Sequence, residues 1–154
     1  MTKHFKTLKH NIWLPYQYAV GPVFNRFYEG LKEEKIWANQ CPACSKILVP
    51  PRSFCPHCSV DMGEWVEAAQ EGEIVTWMTA NEPFFGQPVQ PPLIGALIHL
   101  DGTDCNFLHL VGGLDLNDSA ALKEKIKAGS RVRAVWRAEK KGEMLDIMYF
   151  QPIS

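Results

Sequence analysis

The sequence predicts a mainly β protein: an N-terminal helical arm, a small ribbon built on two knuckles, and a C-terminal five-stranded barrel. Three observations predict it. Apolar residues recur at helical spacing near the start. Two Cys-x2-Cys pairs follow. From Gly72 onward, runs rich in Val, Ile and Thr alternate with turn residues in the order strand, strand, strand, helix, strand, strand. The chain has 154 residues, 46% hydrophobic and 21% charged, the balance of an ordinary folded domain.

Residues 1–22 have no clear period, and Pro15 and Pro22 interrupt them. Pro22 suits the first turn of a helix. Phe24, Phe27, Tyr28 and Leu31 then give one amphipathic helix over about 22–35. Cys41-Pro-Ala-Cys44 and Cys55-Pro-His-Cys58 are the knuckles, with a short strand from Lys46 to Val49 that Pro50-Pro51 ends. Glu73 to Ala80 and Leu93 to Leu100 read as strands, joined by a Pro-rich loop from Glu82 to Pro92. Asp101-Gly102 marks a hairpin into Cys105 to Val111. Asp118 or Ser119 can cap a short helix with Leu122 and Ile126 four apart, and Gly129 fits its end. Arg131 to Arg137 alternates Arg with Val, Ala and Trp, the pattern of a strand with one wet face. Lys141-Gly142 turns the chain into the last strand, Met144 to Phe150. This order suggests a Greek-key barrel of the OB-fold type. The expected organisation is an arm and helix over 1–35, a ribbon over 36–68 and the barrel over 69–154.

The cysteines carry the clearest chemistry. Two residues between thiolates let both sulfurs of a knuckle reach one ion about 2.3 Å away. Pro42 and Pro56 stiffen the knuckles. Cys41, Cys44, Cys55 and Cys58 would fill a tetrahedral shell and leave no position for water. The site is therefore expected to be structural, a rubredoxin-like zinc ribbon, although iron also suits four thiolates. The alternative is four unligated thiols. Cys105 stands outside the set. With His99 or His109 it invites a nucleophile–base reading, but His109 is four residues along the same strand, about 13 Å away. A buried free thiol is the plainer reading.

Charge is unevenly spread. The net charge is −1, so the whole protein has no bulk attraction for nucleic acid or anionic membrane. Residues 65–122 contain no Lys or Arg. They include the strands on which OB folds usually bind single-stranded nucleic acid, so that function is disfavoured. Arg131, Arg133 and Arg137 share one face of a strand and are candidates for the phosphates of coenzyme A. The alternative is a solvated face balancing the acidic stretch. The longest nearly apolar run, Leu93 to Leu100, is too short to span a bilayer. The N-terminus has no secretory signal, and the expected location is the cytoplasm. Eight of the seventeen aromatics lie in residues 1–40: Phe5, Trp13, Tyr16, Tyr18, Phe24, Phe27, Tyr28 and Trp37. A barrel of this size cannot cover them all, which favours a protein interface.

The knuckles with Pro50-Pro51-Arg52 between them, Glu64-Trp65-Val66 after them, and Gly72-Glu73-Ile74-Val75-Thr76-Trp77 opening the barrel resemble a known family. It is the zinc-ribbon/OB-fold family first catalogued as a domain of unknown function and described as acyl-CoA-associated. The resemblance runs from about Phe24 to Phe150. It implies an accessory subunit of a thiolase-superfamily enzyme, with catalytic residues on the partner and some members lining the acyl-CoA channel. Metal ligands carry over to Cys41, Cys44, Cys55 and Cys58; no catalytic residues carry over. The segment with Trp13, Pro15, Tyr16, Tyr18 and Gly21 resembles subunits of degradative thiolases.

The expected function is thus a non-catalytic, zinc-binding subunit of a complex that cleaves or forms a carbon–carbon bond next to a coenzyme A thioester. The alternative is an independent OB-fold module binding single-stranded nucleic acid or acyl-CoA.

Overall fold

A computed structural model describes residues 6–10, 14–84, 86–115, 122 and 125–153. Phe5, Trp13 and the helix cap expected at Asp118 or Ser119 lie outside these residues. Helix α1 spans Gly21–Lys32. Strands β1 (Ile36–Gln40), β2 (Ile47–Leu48) and β3 (Trp65–Ala68) form a sheet in the order β2-β1-β3. Strands β4 (Glu71–Ala80), β5 (Leu93–Leu100), β6 (Asn106–Val111), β7 (Arg131–Trp136) and β8 (Ile147–Pro152) close a barrel in the order β4-β5-β6-β8-β7. The OB-type architecture expected from the strand order is the one observed.

Helix α1 ends earlier than its periodicity predicts. Glu34 takes a left-handed conformation (φ 59°), and the Lys35 N–H returns to the Gly30 carbonyl at 2.9 Å. That bond satisfies a terminal carbonyl and swings the chain into β1. Phe27, Gly30 and Leu31 are the buried stripe of the helix.

Closure of the barrel depends on β4. Its first residues pair with β7 (Glu71 with Arg133) while its whole length pairs with β5. A register shift between Ile74 and Thr76 bends it from one neighbour to the other. Gly72 sits where the strands crowd, and a Cβ there would overlap the His99 carbonyl. On the far side Val111 pairs in parallel with Phe150. Inward residues from every strand, including Ile74, Ile98, Phe107, Val132 and Phe150, are buried. The short helical segment is present in outline: the Ile126 N–H donates to the Leu122 carbonyl at 2.8 Å, and both side chains are buried. Helix α1 and the ribbon contribute Phe27, Leu31, Ile36, Ala38, Val49 and Ala68 to this same core.

Two strand ends differ from expectation. Cys105 lies one residue before β6. β7 stops at Trp136 after a register shift between Val135 and Trp136. The extra residue of that shift, Met148, lies on β8; Arg137 falls beyond the end of β7, where its backbone N–H donates to the Asp146 carbonyl at 2.9 Å.

His109 is buried in the barrel wall. It stacks on Phe107 and meets Phe150 edge-on. Its Nε2 lies 3.1 Å from the Met144 carbonyl, and its Nδ1 is buried without a partner. Burial lowers its pKa, and the bond to Met144 offsets this only in part. The loop holding Met144 is fixed by Asp146. Burial alone would raise that carboxyl, but the N–H groups of Lys141, Glu143 and Gly142 outweigh it and hold it below the usual range.

Two outcomes follow from this packing. Gly72→Ala should lower stability by about 2–3 kcal/mol in urea unfolding, since backbone and not a flexible side chain blocks the added methyl. The depressed His109 pKa means that the unfolded chain takes up a proton first as pH falls below about 6.5. Stability should therefore drop between pH 7 and 5, and the urea midpoint of His109→Gln should depend on pH less steeply over that range.

Candidate metal centre

Each knuckle is a repeated five-residue unit, Cys-Pro-x-Cys-Ser. The Ser45 N–H donates to the Cys41 carbonyl at 2.9 Å, and the Ser59 N–H donates to the Cys55 carbonyl at 2.8 Å. Both serines take left-handed conformations, with φ 60° and 56°. This turn folds each Cys-x2-Cys back so that its two sulfurs point the same way. The Cys41 N–H then bonds the Lys46 carbonyl, and the Cys55 N–H bonds the Val60 carbonyl. The repeat of Ser after each knuckle is visible in the sequence.

The four cysteine sulfurs lie within 4.8 Å of one another, and Cys44 and Cys55 are 3.9 Å apart. Four ligands about 2.3 Å from a central ion in a tetrahedron stand about 3.8 Å apart. The donor set therefore fits one zinc-sized ion. Cys41 and Cys55 are buried, and Cys44 and Cys58 are half-buried. Without a cation the set cannot ionise together. Backbone N–H groups of Cys44 and Ala43 draw the Cys41 thiol down to about 7 against the opposing effect of its burial. Hydrogen bonding to Cys44, then burial, push Cys58 up to about 12. Metal loading must displace those protons.

Between the knuckles, buried Asn39 holds the chain as a strand neighbour would. Its Nδ2 donates to the Arg52 carbonyl at 2.7 Å, and the Arg52 N–H donates to its Oδ1 at 3.1 Å. The ribbon is also stitched to the barrel. The Ile47 N–H donates to the Asp104 carboxylate at 2.8 Å, and the Asp104 N–H donates to the Ile47 carbonyl at 2.8 Å. The Val49 N–H donates to the Cys105 sulfur, whose thiol donates to the Val49 carbonyl, both at 3.1 Å. Cys105 is thus a structural thiol. His99 faces Asn106 and His109 faces Met144, so no nucleophile–base pair forms around it.

Arg131 forms a two-pronged pair with Asp101, with Nη1 2.7 Å from Oδ1, and approaches Glu71 at 3.6 Å. Asp101 is held below its usual pKa first by that hydrogen bond. Arg133 reaches Glu71 at 2.6 Å. Both arginines therefore balance acids of the barrel, Glu71 on β4 and Asp101 in the turn after β5.

Residues 29–62 match the ChsH2 rubredoxin-like zinc ribbon domain, and residues 65–137 match the ChsH2 C-terminal OB-fold domain. The chain belongs to the ChsH2 family. Among solved structures it resembles an Ltp2–ChsH2(DUF35) aldolase chain, with TM-score 0.64 and 23% identity over 88% of this chain and 98% of that one. It also resembles a DUF35-family protein of unknown function from Sulfolobus solfataricus, with TM-score 0.59 and 22% identity over 86% and 84% of the two chains. These two likenesses concern the fold. A curated relative from Thermomonospora curvata, a probable enoyl-CoA hydratase alpha subunit, is 32% identical over 96 residues, 59% of this chain. The chain spans only 30% of that relative's length. Among the described residues no helix is long and apolar enough to cross a membrane.

The junction yields one prediction and the cluster another. Asp104→Ala should cost about 1–3 kcal/mol, read by urea unfolding, because the Ile47 N–H loses its acceptor. Elemental analysis of the purified protein should give one zinc per chain. Cys41→Ser or Cys55→Ser should lose the metal and unfold the ribbon, read by far-UV dichroism and limited proteolysis.

Proposed function

We propose that this chain is a non-catalytic accessory subunit whose single structural zinc holds a docking surface for a thiolase-superfamily enzyme. The complex would act on a β-ketoacyl-CoA. In thiolysis the sulfur of free coenzyme A bonds to the β-carbonyl carbon, the bond between the α- and β-carbons breaks, and the α-carbon takes a proton. Claisen condensation is the reverse. The cytoplasm, with its reduced thiols, is the compartment that suits four cysteine ligands.

The observation that carries this reading is the exposed aromatic surface around α1. Tyr16 and Tyr18 are 79% and 70% exposed, and Phe54 is 59% exposed. Phe24 lines a cleft of about 370 Å³ with Pro50, Arg52, Ser53, Phe54 and Pro56. A second cleft joins Phe24 to Tyr18, Val20 and Tyr28. Aromatic residues flanking rigid clefts are the usual anchors of protein interfaces. On this reading the catalytic residues belong to the partner. The expected contacts of Arg131, Arg133 and Arg137 with coenzyme A phosphates have weak support, since Asp101 and Glu71 already engage the first two.

The hydratase name of the curated relative favours a second reading, in which the partner is a hydratase subunit. Co-purification separates them. The tagged chain should retain a thiolase-fold subunit in fixed ratio at moderate salt, identified by mass spectrometry, and the pair should catalyse coenzyme A-dependent cleavage that the partner alone performs poorly. A hydratase-fold partner supports the second reading. A chain that purifies alone, or with nucleic acid, overturns both and favours an independent OB-fold module.

A further inference from the structure

The second knuckle is a small hairpin over residues 53–62. The Met62 N–H donates to the Ser53 carbonyl at 3.1 Å, Phe54 bridges Asp61, and the Cys55 N–H donates to the Val60 carbonyl at 2.8 Å. Both feet of the hairpin are pinned to the ribbon. Asn39 holds Arg52 on one side, and the Gly63 N–H donates to the Gln40 carbonyl at 2.8 Å on the other. Between the feet little holds it. Residues 54–61, all of them described, hydrogen-bond only to one another, apart from the sulfurs of the cluster, where Cys44 and Cys55 meet at 3.9 Å. Cys55 is the one buried residue from 53 to 62. An ion shared by the four sulfurs is therefore the main tie between this hairpin and the first knuckle.

The same hairpin walls the larger aromatic cleft. Ser53, Phe54 and Pro56 line it together with Phe24 of α1, and Pro56 lies inside the knuckle, between Cys55 and Cys58. Losing the ion thus frees three of the six residues that line the cleft. Two of the four ligand sulfurs are also within reach of solvent. Cys41 and Cys55 are buried, whereas Cys44, Cys58 and Cys105 are half-buried. Cys105 is protected by its role, since it donates to the Val49 carbonyl and so keeps its proton. A metal-bound cysteine is a thiolate, the form that oxidants attack. Each sulfur of the cluster has the others within 4.8 Å to resolve that attack.

We propose that the second knuckle is an oxidant-released wall of the docking cleft, opened when a peroxide takes Cys44 or Cys58. The inference rests on the accessory-subunit reading. The half-buried thiolate attacks the O–O bond of hydrogen peroxide and becomes a sulfenic acid, and the displaced oxygen takes a proton and leaves as water. A second thiolate of the cluster displaces the sulfenic hydroxyl, an S–S bond forms, and another proton makes the second water. Two sulfurs together lose two electrons, and the peroxide gains them. The two thiolates that remain are too few to close a tetrahedral shell around the ion. The hairpin then loses its tie, and Phe54 and Pro56 leave the cleft.

The test begins with the zinc-loaded full chain alone, treated with hydrogen peroxide. Zinc release is followed with a chromogenic chelator, and disulfides are mapped by mass spectrometry. Each chain should lose its zinc and two thiols, in a disulfide that contains Cys44 or Cys58, while Cys105 stays reduced. Limited proteolysis should then cut within 53–62 and leave the barrel intact. The oxidised chain should bind the co-purified partner at least about tenfold more weakly, and a thiol reductant with added zinc should restore the affinity. Phe54→Ala should keep its zinc and also bind more weakly, which separates the wall from the metal. Zinc retained while Cys105 is oxidised overturns the proposal, as does zinc loss with unchanged affinity; both leave the docking reading in place. Weaker binding of the oxidised chain beside wild-type binding of Phe54→Ala assigns the effect to general unfolding of the ribbon and also overturns it. The absence of any partner overturns the proposal together with the reading beneath it.

Discussion

The outer edge of β2 is the constraint on which the rest depends. A strand of two residues at the edge of a three-stranded sheet leaves backbone donors and acceptors that must find partners. The barrel supplies them from one turn. Asp104 bonds both polar groups of Ile47, one through its side chain and one through its backbone. Cys105 bonds both polar groups of Val49 through a single sulfur, acting as acceptor and donor. Two side chains thus take the place of a neighbouring strand. Ribbon and barrel share one apolar core because this seam holds them in register.

The same seam positions the cysteine cluster. β2 runs between the knuckles, so fixing its edge fixes the spacing of the four sulfurs. Asn39 performs the complementary task on the inner side by bonding the backbone of Arg52. The knuckles are thereby braced from both directions before any ion is considered. An ion bound there would add its free energy to a ribbon with few buried residues of its own. The helix draws on the same frame, since α1 lies against β1 and brings Phe24 to the cleft lined by Pro50 and Phe54.

Much of this was legible in the chain. The cysteine spacing identified the cluster, because thiolate chemistry leaves few alternatives for paired Cys-x2-Cys units. The alternation of Arg131 to Trp136 and the apolar run of Leu93 to Leu100 identified two barrel strands, because burial on a pleated sheet imposes a period of two. Side-chain partners across long separations were not legible. Cys105 looked like a spare thiol, and nothing in its local sequence reveals Val49. Arg137 looked like a third member of that strand face, because the end of β7 at Trp136 has no residue signature of its own. The acids facing Arg131 and Arg133 come from β4 and from the turn after β5, so the basic face read as free charge. The contact of the Arg26 guanidinium with the rings of Trp37 and Trp65, from β1 and β3, is equally non-local.

The seam has a consequence for how the chain is made. Ile47 and Asp104 are 57 positions apart, so the contact has high sequence separation and closes late. During synthesis the ribbon emerges first and can gather its thiols, but its edge strand has no cover until residue 105 has left the ribosome. Through that interval the nascent chain carries an open β-edge beside exposed aromatic side chains, the combination that recruits other strands. The arrangement that locks the finished molecule is therefore also its period of greatest exposure, and early capture by a chaperone or by a partner would shorten the hazard.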